Sequence, residues 1–185
     1  GGMGSDIHAA EAWDLHTGSR NVLVGIVDTG IDHRHEDLAA NIWVNPGESG
    51  SGRETNGLDD DGNGYIDDVR GWDFFCDDNR PYDAHGHGTH CAGTIGGGGN
   101  NGIGVAGVCW QVSLVGLKFL DAQGSGVDSD AIEALNYARL IGCRLTSNYW
   151  GGSSDQPELL RQAIMNAGAA GKLFVCAAGN GSSDN

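Results

Sequence analysis

The chain has 185 residues, with 10 lysines and arginines against 25 aspartates and glutamates, a net charge of −15 with histidines neutral. That balance excludes the clustered cations that nucleic acid or an anionic membrane surface requires, and no run approaches the ~20 apolar residues needed to span a bilayer. A hydrophobic share of 39% excludes a disordered chain, and 33 glycines without a triplet period exclude collagen and mark turns and close backbone approaches.

In chain order, the first regular element is a strand at 22–27, short and β-branched, followed at once by Asp28-Thr29-Gly30. An acidic insert at about 54–83 comes next, with ten carboxylates against Arg70 and Arg80, a net −8. His85-Gly86-His87-Gly88-Thr89-His90 then opens a helix, with small residues on both sides of His87. A second strand covers 112–119. Asp130 and Glu133 have the spacing of a capping box, and Ile132, Leu135 and Ala138 continue an apolar stripe to Gly142. A weaker strand at 144–150 leads to a second helix, with Asp155 and Glu158 as its box and Pro157 at its first position. Leu160, Ala163, Ile164 and Ala167 form its stripe, Gly171 ends it, and a strand at 173–178 follows.

Strand, helix, strand in succession predicts an α/β fold, a mainly parallel sheet with helices on both faces and right-handed crossovers. Ligands of such sheets bind beyond the carboxyl ends of the strands. That rule directs attention to Asp28, to 121–126, to 149–152 and to Gly179-Asn180. Asp28 alone reads equally well as a turn cap, and Asn180 alone as a turn residue. Together with His87 they form a set: an acid to orient an imidazole, an imidazole to move a proton, and an amide for a developing oxyanion. The five cysteines, Cys76, Cys91, Cys109, Cys143 and Cys176, are odd in number and contain no C-x-x-C pair, which supports neither a zinc ribbon nor a disulfide scaffold.

Val27-Asp28-Thr29-Gly30-Ile31-Asp32, His87-Gly88-Thr89-His90-Cys91-Ala92-Gly93-Thr94-Ile95, the run 104–108 and Ala177-Ala178-Gly179-Asn180 together make the sequence resemble the subtilisin-like serine proteases over nearly its whole length. The resemblance implies an amino-terminal part of a catalytic domain over 1–185, incomplete at the carboxyl end. It implies Asp28 as triad acid, His87 as general base and then acid, and Asn180 as oxyanion donor. It further implies that Gly124, Ser125 and Gly126 on one side, and Tyr149, Trp150 and Gly151 on the other, flank an extended polypeptide substrate as added strands. A pro-segment inhibitor and an extracellular or secreted setting belong to the same expectation. Tyr149 departs from the family's usual small serine, so its phenol either narrows the primary pocket or points away. The Gly-Thr-Ser-Met-Ala motif that carries the nucleophile is absent, and Ser147, Ser153, Ser154, Ser182 and Ser183 sit in no comparable strand-to-helix elbow. The 185-residue chain is therefore expected to be inactive alone.

Asp59, Asp61, Asn63, Gly64, Tyr65 and Asp67 match an EF-hand loop at positions 1, 3, 5, 6, 7 and 9, with Arg70 where the bidentate glutamate belongs. Hard oxygen donors favour Ca²⁺, completed differently from an EF-hand, for example through Asp68. By analogy with the family, a second calcium site is suggested at Asp37 and Asn101 with carbonyls of Gly99, Ile103 and Val105. Three competing functions stay open: a non-catalytic calcium-binding or peptide-binding pseudoenzyme module, an aspartic protease half-unit built on Asp28-Thr29-Gly30, and a binuclear metallohydrolase built on His85-x-His87-x-x-His90. The last has Thr89 where its acid is needed.

Overall fold

A computed structural model describes residues 6–151 and 157–180. A short helix α1 (Ala9–Trp13) precedes β1 (Gly18–Asp28), and β2 (Gly71–Asp73) lies within the acidic insert. Then follow α2 (His87–Gly96), β3 (Gln111–Lys118), α3 (Asp128–Leu140), β4 (Leu145–Asn148), α4 (Glu158–Ala169) and β5 (Leu173–Cys176). The five strands form one sheet in the order β2-β3-β1-β4-β5, every pairing parallel. The α/β sheet expected from the sequence is the fold observed.

The central strand explains itself through alternation. Leu23 and Val27 point into a cluster with Val115, Leu117 and, from α3, Ala131, Leu135 and Ala138, joined by Ala163 of α4. Val24 and Ile26 point the other way, into a cluster with Val112, Leu114 and Ala92 of α2. Burial on both faces is what a parallel sheet covered by helices demands, and each buried Leu, Ile or Val contributes about 1.5–3 kcal/mol. The register places Asp28 opposite Lys118, so the acid stands at the carboxyl end of β1, between the ends of β3 and β4.

Local details depart from the sequence expectations. Helix α3 starts at Asp128 with Val127 as its extended N-cap and no side-chain cap, so Asp130 lies inside the first turn and forms no box with Glu133. There Asp128 and Asp130 complement the positive helix end by charge alone. Pro157 is the N-cap of α4 rather than its first residue, and Asp155 lies outside the described residues. Strand β1 begins four residues earlier than expected, while β4 and β5 stop two residues short. Strand β2 was not expected at all. All five cysteines are free.

Candidate active site

Two glycines let the acid and the base meet. Gly30 turns at φ +109°, and a Cβ there would stand 2.6 Å from the Pro81 carbonyl oxygen. A Cβ on Gly88 would lie 2.1 Å from the Gly30 carbonyl oxygen and 3.2 Å from the Asp28 Cβ. Helix α2 therefore rests its first turn directly on the end of β1. His87, the first residue of that helix, brings Nδ1 to 2.7 Å from Asp28 Oδ1 and 2.9 Å from Oδ2. The Thr29 N–H donates to Oδ1 as well, at 2.7 Å. Asp28 is 1% exposed and the His87 side chain 43%, so a fixed carboxylate backs an imidazole that is open to solvent. Such a carboxylate holds the proton on Nδ1 and leaves Nε2 as the base.

Cys91, one turn further along α2, lies 3.9 and 4.0 Å from the two ring nitrogens. Burial, followed by the Asp28 charge, pushes its thiol up to about 11. It is therefore a neutral packing group at physiological pH and not a nucleophile.

The segments expected to flank substrate follow β3 and β4, on either side of β1. In the first, Asp121 folds the loop: its Oδ1 accepts the Gln123 and Ser125 N–H groups at 2.8 and 2.9 Å, and its own N–H donates to the Ser125 carbonyl at 2.8 Å. Those donors hold the Asp121 carboxyl below the usual range. The Ser125 backbone is thus tied into the turn while the residue stays exposed, with Gly124 and Gly126 on either side of it. A Cβ on Gly126 would meet the Phe119 carbonyl at 2.3 Å. In the second segment Tyr149 is exposed, whereas Trp150 turns into the core and packs edge-on against Phe119 and Phe174, with centroids 4.9 and 6.4 Å apart. The indole thereby ties the ends of β3 and β4 together. Gly151 and Asn180 are exposed, Asn180 in the loop after β5 behind Gly179 at φ +85°. Ser147 is buried inside β4, its hydroxyl without a partner among the described residues; Ser153, Ser154, Ser182 and Ser183 lie outside the described residues.

The acidic insert closes on itself in a way the sequence spacing only partly foretells. Asp59 accepts the N–H groups of Gly62, Asn63 and Gly64 at 2.8, 3.1 and 2.8 Å, so it caps its own loop. Asp67 turns towards the Asn56 and Gly57 N–H groups instead of the loop centre. The Tyr65 ring packs on Trp72, Phe74 and Tyr137. The carboxylates that do converge are Asp61, Asp68 and Glu48, with one oxygen from each within 4.8 Å of the others. Asn45 and Asn63 join them: the Asn45 amide donates to Asp61 and Asp68 at 3.0 and 2.6 Å, and the Asn63 amide to Asp68 at 2.8 Å. Burial raises the Asp68 carboxyl, and its neighbour Asp61 adds to the rise. Glu48 is fully buried, with Oε1 on the Asp60 and Asp61 N–H groups and Oε2 without a partner among the described residues. An orphaned buried carboxylate oxygen beside two more carboxylates fits a hard cation. Nothing in the local spacing marks Glu48, which precedes Asp59 by eleven positions in a separate turn. At the second suggested site, Asp37 accepts the Asn101 amide at 2.8 Å and the Val105 N–H at 2.9 Å, and those two bonds lower its carboxyl.

A parallel α/β sheet with an aspartate–histidine pair beyond its central strand defines a class of proton-transferring sites at the switch of the strand order. The family model described as the subtilase family matches residues 19–185, and the chain belongs to that family. Among its relatives, thermitase of Thermoactinomyces vulgaris is 33% identical over 94% of this chain and 52% of its own length. The major intracellular serine protease of Bacillus subtilis is 39% identical over 94% of this chain and 47% of its own. Subtilisin-like protease 1 of Plasmodium vivax is 44% identical over 60% of this chain and 17% of its own. The chain thus spans about half or less of the length of these relatives.

Proposed function

We propose that this chain supplies the acid, the base and the oxyanion amide of a serine endopeptidase whose nucleophile lies outside residues 1–185. The observation that carries it is the Asp28–His87 contact at 2.7 and 2.9 Å on a half-exposed imidazole. In this function His87 Nε2 takes the proton of an attacking serine and returns it to the leaving amine, Asp28 stabilises the imidazolium, and Asn180 donates to the tetrahedral oxyanion. Polypeptide substrate lies extended between Gly124–Gly126 and Tyr149–Gly151, and a pro-segment can occupy the same groove. Both oxygens of Asp28 face His87, which speaks against a carboxylate shared with a second aspartate as in an aspartic protease half-unit.

Glu48, Asp61 and Asp68, with carbonyl oxygen from Asn45 or Asn63 once their amides turn, would hold Ca²⁺, whose role there is to neutralise the cluster and fix the insert. An extracellular setting, where Ca²⁺ is plentiful, belongs to the same proposal; kinship alone does not supply it, since one relative is named as intracellular.

The test is fluorophosphonate labelling of the 185-residue chain beside a longer protein that includes a Gly-Thr-Ser-Met-Ala segment. Label is expected on the longer form only, and it should disappear with His87→Ala. Stoichiometric label on the 185-residue chain would overturn the assignment, and no label on either form would favour the pseudoenzyme.

A further inference from the structure

We propose that Asp83 is a positioning residue for the Asp28–His87 pair, a buried carboxylate that fixes the residues on both sides of the base and the one after the acid. The inference rests on Asp28 and His87 being acid and base. Asp83 is 6% exposed and accepts five hydrogen bonds, all from the two segments that carry those groups. Oδ1 receives the Thr29 hydroxyl at 2.8 Å and the His85 and Gly86 N–H groups at 2.9 and 2.8 Å. Oδ2 receives the Thr89 N–H at 2.9 Å and the Thr89 hydroxyl at 2.6 Å.

The two hydroxyls make the hub act at a distance. A hydroxyl has one proton, so when Thr29 and Thr89 both donate to Asp83, their lone pairs are aimed elsewhere. Thr29 Oγ1 accepts the Gly88 N–H at 3.0 Å, and Thr89 Oγ1 accepts the Asp32 N–H at 2.9 Å. Each bond crosses between the turn after β1 and the first turn of α2. One carboxylate therefore orients two rotors that clamp the acid-bearing turn to the base-bearing helix, with Gly86 and Gly88 held on either side of His87. All five partners are donors, so the site requires the ionised acid. Burial works to raise the Asp83 carboxyl, and the bonds from Thr89, Gly86 and Thr29 outweigh it, leaving the carboxyl below the usual range.

Asp83→Asn keeps the shape but presents an NH₂ group to donors on one side, which leaves Thr29 or Thr89 free to rotate. A small misplacement of a catalytic group costs up to about 100-fold in rate. In the complete protein, kcat per fluorophosphonate-titrated site should fall about 10- to 100-fold in Asp83→Asn on a peptide nitroanilide, with KM changed less than about twofold. The downfield Nδ1 proton resonance of His87 should shift or broaden, and Asp83→Glu should recover part of both. A purely structural role would lower the number of titratable sites and leave kcat per site and the resonance unchanged, which would overturn the proposal. If Asp83→Asn does not fold, Thr29→Val removes one rotor only; a smaller loss of kcat in the same sense is expected, and an unchanged kcat and resonance would equally overturn it. His87→Ala is run alongside: activity surviving that change defeats the catalytic assignment itself, whereas an essential His87 with indifferent Asp83 and Thr29 defeats only this inference.

Discussion

The role proposed for Asp28 rests on what surrounds it: a strand end, a glycine turn and a helix start, each visible in the sequence as Val27-Asp28-Thr29-Gly30 and Gly86-His87-Gly88. Replacing it by asparagine in the complete protein should reduce kcat by on the order of 10⁴, because an amide can hold the imidazole in the wrong tautomer and cannot offset its positive charge. Steady-state kinetics at saturating peptide check this; a loss below tenfold would mean that the pair does not carry proton transfer. Tyr149 is exposed while Trp150 is packed, so the phenol is free to border the groove proposed for substrate. Tyr149→Ser should therefore admit larger side chains at the primary pocket, read as a changed profile on a peptide library, and an unaltered profile would place the phenol outside the pocket. Asp83 predicts a pH effect on stability. Its carboxyl is lowered in the folded chain, so its stabilisation is present above the ordinary aspartate range and is lost as pH falls through the folded value. Urea midpoints should fall more steeply on acidification in the parent than in Asp83→Asn. Parallel curves would show that the hub stays protonated or contributes nothing.

Elements with a strong period were readable: the β-branched run of β1, the apolar stripes of α3 and α4, and their alternation, which gave the parallel sheet. What was not readable depended on partners distant in the chain. Strand β2 is three residues, Gly-Trp-Asp, too short for any alternation to register, and it exists because Gly71 fits against the Gly116 carbonyl, where a Cβ would stand 2.0 Å away. The box at Asp130 failed because the helix starts earlier, at an extended Val127 whose side chain has no oxygen to cap it. In the insert, the 59–67 spacing pointed to a calcium loop, yet Glu48 enters from another turn and Asp67 points away. That rearrangement makes a test. Binding of a ligand to the folded state alone adds RT ln(1 + [L]/Kd), about 2.7 kcal/mol at ~100-fold excess over Kd. Melting temperature should rise with added Ca²⁺ in the parent and in Asp67→Asn, and the rise should vanish in Glu48→Gln. Loss of the response in Asp67→Asn with Glu48→Gln unaffected would restore the loop spacing as the ligand set.

The sheet as a whole is unevenly covered. Strands β3, β1 and β4 are enclosed between α2 on one face and α3 with α4 on the other, whereas among the described residues β5 is paired on one side only, by β4. Leu173 and Val175 on that edge strand are 65% and 43% exposed, and Leu159 and Met165 of α4 are 74% and 52% exposed. Leu173 and Val175 alternate with Phe174, which packs in the cluster of α3 and α4, so they lie on the opposite sheet face from α4, beside an open parallel ladder where a further strand or another chain gains both hydrogen bonds and apolar burial. At the same end, buried Ser147 and Asn148 keep a hydroxyl and an amide oxygen without partners among the described residues. An open edge, exposed apolar side chains and orphaned polar atoms together make this the least covered part of the described sheet. The 185-residue polypeptide expressed by itself should then bind an apolar dye such as ANS and associate as concentration rises, through β5. Lys in place of both Leu173 and Val175 should suppress the association, because a charged edge resists strand addition while leaving the enclosed strands intact. Sedimentation velocity across a concentration series decides it: a parent that stays monomeric and dye-free would show that the edge is protected, and association undiminished by the two lysines would move the contact away from β5.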